Sequence, residues 1–297
     1  MPASGSALQR ALLDLAWAQW IALGVDAVGE PDPAVVDPEA LIALTAELGD
    51  ADARLRDVST DWCVAYGRYI NGARLRQVAR ELRTPFEAIG EYVATVAASG
   101  GPAWPMATQP RPEYASRGKA RLASARSRPR LRIRLRAAFG VNARADVLAA
   151  LLVAPANGLS MADLARKTRF TKPGTAFAVD ALLLAGLVEA RTVGNERRLV
   201  LSKPGQILPG VRPPIVQPDW VARFGVALEV LRFDRQEAMP ASVRPIEARR
   251  VVEGLLARLA IEGLPQPDLD ALGDDFAGSF DRWVVRLVDS LGEPSRT

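Results

Sequence analysis

Three features of the sequence predict a mainly α protein whose centre is a compact unit of short helices closed by one β-hairpin, flanked by helical regions. Apolar residues recur at helical spacing through both ends of the chain. The clearest hairpin signal is the pair Gly194-Asn195, set between two short apolar runs. Charge is segregated: residues 1–100 carry 8 basic and 14 acidic side chains, 101–205 carry 19 and 6, and 206–297 carry 11 and 14. A block of +13 thus lies between two acidic ones, although the whole chain totals only +4. Such segregation points to a polyanion met by the middle segment.

In the first hundred residues, Leu8, Leu12, Leu15, Trp17 and Ile21 form one helical stripe. After a proline-rich break, Asp37-Pro38 opens a helix through Leu41, Leu44 and Leu48, closed by Gly49. A further helix is predicted from Ala51 to about Tyr69, and another from Ala73 to Leu82. Thr84-Pro85-Phe86-Glu87 has the pattern of a capping box with proline at the first helical position, and its helix ends at Gly100-Gly101.

Residues 101–130 read as a Pro/Arg-rich linker, with Pro102, Pro105, Pro110, Pro112 and Pro129. From Arg117 the segment is basic through Lys119, Arg121, Arg126, Arg128, Arg130, Arg132, Arg134 and Arg136, with no acid among them. Two readings stay open: a solvated tether, or an arm lying along a phosphate backbone through Arg130, Arg132 and Arg134. The alternation with Leu131, Ile133 and Leu135 fits a short strand or the start of a helix.

Beyond Phe139 the punctuation is dense. Asn142 caps a helix through Val147, Leu148 and Leu152, and Asn157-Gly158 is a turn. Ser160-Met161-Ala162-Asp163 opens a short helix ending near Thr168. Thr171 caps the next, with Lys172 and Pro173 in its first turn and a stop at Ala185-Gly186. Leu187-Val188 enters a strand to Val193, and Arg197 to Leu201 returns after the Gly194-Asn195 turn. The last region, 206–297, holds three helices: one capped by Asp219, one from about Pro245 to Ile261, and one carrying Phe276, Phe280, Trp283, Leu287 and Leu291. These stripes suit core packing or a dimer face.

The order helix, helix, turn, helix, two-stranded wing resembles the winged helix-turn-helix transcription regulators of bacteria, the MarR- and ArsR-like group. The residues carrying the resemblance are Leu164-Ala165, Thr168, Thr171-Lys172-Pro173, Leu182 and Ala185-Gly186-Leu187-Val188, with Gly194-Asn195-Glu196-Arg197-Arg198 where the wing falls. It covers about residues 139–202. The resemblance implies a central winged helix-turn-helix DNA-binding domain over 131–205, between an N-terminal helical domain (1–100), the linker (101–130) and a C-terminal helical region (206–297). It further implies a regulator that binds double-stranded DNA as a homodimer. Expected contacts are Arg169, Thr171, Lys172, Thr175, Arg191, Arg197 and Arg198, joined by Arg130, Arg132 and Arg134 of the arm. The third helix departs from the pattern, because its outward positions include Gly174, Ala176 and Phe177, leaving Lys172 and Thr175 as donors. A winged-helix module that binds another protein, such as an antitoxin-like or defence-associated adaptor, is therefore the alternative.

Other classes find little support. The chain has no histidine, which removes the usual general acid/base and every imidazole ligand. Cys63 is the single cysteine, in an apolar run, and reads as a small buried hydrophobe. No Gly-rich phosphate loop occurs, and the acids Asp268, Asp270, Asp274 and Asp275 do not match a calcium loop. The expectation is a protein that is not an enzyme and needs no metal or cofactor. The early apolar run Ala11–Val25 is broken by Asp14 and Gln19 and is too short for a span, so no membrane is expected and the chain reads as cytoplasmic.

Overall fold

Short polar side chains set most helix starts in this protein, whose computed structural model describes residues 3–111, 114–116, 118, 120–121, 127–208, 210, 215–236, 239–240, 242–270 and 273–292. Helix α1 spans Ala3–Leu23. Asp37 caps α2 (Pro38–Leu48) by accepting from the Ala40 amide. Asp52 caps α3 (Ala53–Tyr66), which runs on as a 3-10 turn to Tyr69. Asn71 caps α4 (Gly72–Glu81). Each cap satisfies an amide that the helix itself leaves without a partner.

The predicted capping box does not form. Helix α5 (Phe86–Ala98) starts with Pro85 in the cap position and no side-chain cap bond. Arg83 instead adopts φ +53°, and the Thr84 amide donates to the Ala79 carbonyl at 2.9 Å, closing α4. The Thr84 hydroxyl is then buried without a partner rather than aimed at α5.

The linker is not a free tether over its described part. Trp104 is buried, and the Thr108 amide donates to the Gly90 carbonyl at 3.1 Å. A Cβ on Gly90 would sit 2.5 Å from Thr108, so only glycine lets this strap lie on α5. Arg111 pairs with Asp57 at 2.9 Å, and the Tyr114 hydroxyl donates to Asp61 at 2.7 Å. Arg117, Lys119 and Arg126 lie outside the described residues.

The ambiguous run after Pro129 is a helix, α6 (Leu131–Phe139). Asn142 caps α7 (Ala143–Leu152), Ser160 caps α8 (Met161–Thr168) and Thr171 caps α9 (Lys172–Leu184), as predicted. Strands β2 (Val188–Val193) and β3 (Glu196–Leu201) form the expected hairpin. Its loop has positive φ at Gly194 but not at Asn195, as a type II′ turn needs. A two-residue strand, β1 (Leu159–Ser160), adds to the far side of β3, giving an antiparallel sheet in the order β1-β3-β2. Its two residues are too few to leave a periodic signal in the sequence.

Helices α10 (Trp220–Asp234), α11 (Arg244–Glu262) and α12 (Gly273–Ser290) complete the chain, and α10 is capped by Asp219. The protein is mainly helical with one small antiparallel sheet. Two apolar cores organise it. One joins α1–α5 to α10–α12, with Trp20, Trp62, Trp220 and Trp283 fully buried. The regions expected as separate N- and C-terminal units thus share a core. This uses the stripe of Phe280, Trp283 and Leu287 inside the chain rather than leaving it as a dimer face. In α1 the buried stripe is Leu8, Leu12, Ala16, Trp20 and Leu23, one step away from Trp17 and Ile21. The second core holds α6–α9 and the sheet. Among the described residues, no helix is long and apolar enough to cross a membrane.

Cys63 is buried in the first core, 3.6 Å from the Tyr92 hydroxyl, and burial pushes its thiol up to about 12. It is a protonated packing group at neutral pH.

Candidate nucleic-acid interface

Helices α8 and α9 are joined by Arg169, Phe170 and the cap residue Thr171. Ser160 accepts from the Asp163 amide at 3.1 Å, and Asp163 pairs with Arg166 at 2.8 Å, so the start of α8 is doubly held. The Arg166 guanidinium and the Ser160 hydroxyl keep the Asp163 carboxyl below its usual range. At the other end Arg169 closes α8 with φ +58°, a left-handed conformation that costs a residue with a Cβ about 1–2 kcal/mol. Two ion pairs offset that cost: Arg169 meets Asp219 at 2.8 Å and Glu81 at 3.3 Å. Burial would lower the Arg169 pKa, but Asp219 and Glu81 raise it, so the side chain stays charged. Arg169 was expected to reach a phosphate; its charge is instead used within the chain.

Thr171 accepts from the Gly174 amide at 3.2 Å, and both Thr171 and Lys172 are exposed at the start of α9. Thr175, expected as a DNA donor, is 0% exposed with no partner for its hydroxyl. It lies on the same side as Ala178, Val179 and Leu182, which pack into the second core. The opposite side of α9 is open, with Phe177 78% and Leu184 92% exposed.

In the hairpin, Arg191 pairs across the strands with Arg198, and Thr192 with Arg197. Side chains alternate between faces, so Arg191 and Arg198 share one face and Arg197 takes the other. Arg191 and Arg197 are exposed. Arg198 is half-buried, bonded to Glu196 at 2.9 Å and to the Gly158 carbonyl at 3.1 Å.

The basic arm is not an arm. As a helix, α6 turns Arg132 and Arg136 onto one face, at i and i+4. Arg132 meets Asp146 at 2.8 Å and Asp37 at 3.5 Å. Arg136 meets Glu39 at 2.6 Å and Asp146 at 3.1 Å. Arg130 is buried and donates to the Ala22 carbonyl at 2.8 Å. Arg134 is half-buried and also engaged. The phosphate contacts expected of Arg130 and Arg132 are therefore excluded by burial. Helical geometry brings these cations to carboxylates already present in α2 and α7.

Arg74 completes this network. It grips both Asp37 oxygens at 2.6 and 2.7 Å, reaches Glu39 at 2.7 Å, and donates through Nε to the Thr168 carbonyl at 3.0 Å. Burial alone would raise the Asp37 carboxyl, but Arg132 and Arg74 overcome it and hold Asp37 well below the usual carboxylate range. The carboxylates likewise raise Arg74 and Arg136, whereas burial leaves Arg132 lowered. This network ties the α8–α9 turn to the α1–α5 body. Sequence reasoning did not find it. Its traces were the i, i+4 arginines of α6 and the acidic excess of the first hundred residues. Among the described residues, no cluster of three or more metal-ligating side chains occurs.

Comparison with known protein families, with curated proteins and with solved structures gave no match.

Proposed function

We propose that this is a winged helix-turn-helix protein that binds duplex DNA as a transcription regulator, with α9 in the major groove and the β2–β3 hairpin as the wing. One observation carries the reading: α9, with an exposed side and an exposed Lys172, packs against β2 of a hairpin that exposes Arg191 and Arg197, in a sheet ordered β1-β3-β2. The succession α7, β1, α8, α9, β2, β3 also supports it. A helix of this length fits the groove, and arginines on both hairpin faces can straddle the backbone beside it. The terminal apolar stripes are buried within one chain and so give no motive for pairing two copies. We therefore take a single α9–hairpin unit as the binding element.

The charge available to DNA is much smaller than the +13 of the middle segment, since Arg130, Arg132, Arg136 and Arg169 are paired or buried inside the chain. With about three phosphates contacted, by Lys172, Arg191 and Arg197, the logarithmic salt slope is about −2.7, and affinity falls roughly fortyfold between about 50 and 200 mM salt. Replacing Arg191 and Arg197 by alanine lowers that slope by about 0.9 for each phosphate no longer neutralised, on any duplex. A salt titration by gel shift tests this. Affinity that is flat with salt, or unchanged in the double variant, refutes the reading. The exposed apolar Phe177 and Leu184 favour a second reading, a protein-binding module. Failure of the chain to bind DNA at low salt would move that reading ahead.

A further inference from the structure

The open side of α9 carries Pro173, Phe177, Asp180 and Leu184, spaced four, three and four residues apart and so on one face. Among these residues none can donate a hydrogen bond. Thr175, the remaining donor in the body of the helix, is buried. Lys172 sits in the first turn, within reach of the backbone as much as of the bases. This face therefore lacks the bidentate donors that read guanine and the amide that reads adenine. What it does offer is a large exposed ring at Phe177 and a carboxylate at Asp180. In the major groove these suit the thymine methyl and an amino donor, and cytosine's suits a carboxylate better than adenine's, which lies between two acceptors, its own N7 and the paired thymine O4, that repel the carboxylate. The methyl and the cytosine amino group both belong to pyrimidines. Three residues of helix rise about 4.5 Å, close to the 3.4 Å between successive bases on one strand. Three cations able to meet phosphates, Lys172, Arg191 and Arg197, lie exposed on the same α9–hairpin unit, beside the exposed acids Asp180, Glu189 and Glu196, of which Glu189 pairs with Arg191 at 3.4 Å.

We propose that α9 selects pyrimidine runs, Phe177 packing on a thymine methyl and Asp180 accepting from the amino group of a neighbouring cytosine. This rests on the DNA-binding reading and specifies what that site recognises. Phe177 and Asp180 are then the specificity-determining residues, while Lys172, Arg191 and Arg197 supply affinity without sequence preference.

The test uses the full chain and a duplex of TTC repeats spanning two to three helical turns, at about 50 mM salt. A second duplex carries deoxyuridine in place of every thymidine and so lacks only the methyl groups. A third, of TTA repeats, lacks the cytosine. Anisotropy titrations compare the parent, Phe177→Ala and Asp180→Ala, and melts confirm that both variants fold. The parent binds the deoxyuridine duplex about fourfold more weakly, the factor for removing one buried methyl-sized group. Phe177→Ala loses that preference and keeps the salt slope. Asp180→Ala loses the preference for TTC over TTA. If the parent binds the thymidine and deoxyuridine duplexes equally, or Phe177→Ala still discriminates between them, the inference is overturned while DNA binding stands. If the parent binds none of the duplexes, the DNA-binding reading fails with it, and the apolar face of α9 belongs to a protein partner.

Discussion

Replacing Arg74 by alanine tests whether the buried charge network holds the α8–α9 turn against the helical body. The side chains of Arg74, Asp37 and Glu39 are 0%, 5% and 0% exposed. Removing the guanidinium leaves Asp37 with Arg132 at 3.5 Å and strips the Thr168 carbonyl of its Nε donor. Breaking one partner out of a buried ion pair costs about 3–5 kcal/mol, because the remaining charge stays buried and poorly compensated. Unfolding entropy of about 2.1 cal/mol/K per residue over 297 residues gives roughly 0.6 kcal/mol/K. The melting temperature should therefore fall by about 5–8 °C. Arg74→Lys should lose part of this, since lysine keeps the charge but not the fork that grips Asp37 and Glu39 together. Calorimetry of the three proteins measures the shift. Hydrogen exchange at the amides of residues 169–171 should speed up in Arg74→Ala, because the turn loses its buried tie to α4 and keeps there only the Arg169–Glu81 pair. A variant that melts within about 1 °C of the parent would refute the claim that the network holds the turn.

Two further outcomes are expected. Gly186 has φ +68° with open space where a Cβ would stand, so Gly186→Val destabilises through its backbone and not by crowding. The cost is about 1–2 kcal/mol, readable as a lower urea midpoint, and Gly186→Ala should show much of it. Asp37→Asn tests pH dependence. Because the folded state holds the Asp37 carboxyl below its usual range, its contribution is full above about pH 4–5 and is lost as pH falls further. The stability gap between parent and Asp37→Asn is then widest near neutrality and narrows below about pH 4. Asp32, Asp234 and Glu262, whose carboxyls burial raises, titrate with the opposite sign but are common to both proteins and cancel in the difference.

Local chemistry made much of the architecture legible. Caps at Asp37, Asn142, Ser160, Thr171 and Asp219 announced five helix starts, because a short acceptor beside the first free amides acts within three residues. Gly194-Asn195 announced the hairpin in the same way. Of the residues singled out in the sequence for DNA contact, Thr171, Lys172, Arg191 and Arg197 are exposed. Thr175 was missed because it faces the second core, and the arginines were missed for a different reason. A charge count treats every arginine as facing water, yet Arg132, Arg136 and Arg169 each meet carboxylates far away in the chain.

Neighbours within about one or two turns were enough to specify most of the helices, the caps at Asp37, Asn142, Ser160, Thr171 and Asp219, and the hairpin, whereas packing decided that the Phe177 side of α9 stays open. Which cations remain for a partner is settled by long-range packing alone. Whether Arg74 or Arg136 is buried depends on where Glu39 and Asp146 arrive after folding, and burial turns a solvated charge into a structural tie. The same packing makes the two ends of the chain share a single core. An apolar stripe specifies that it must be covered, but not by which helix.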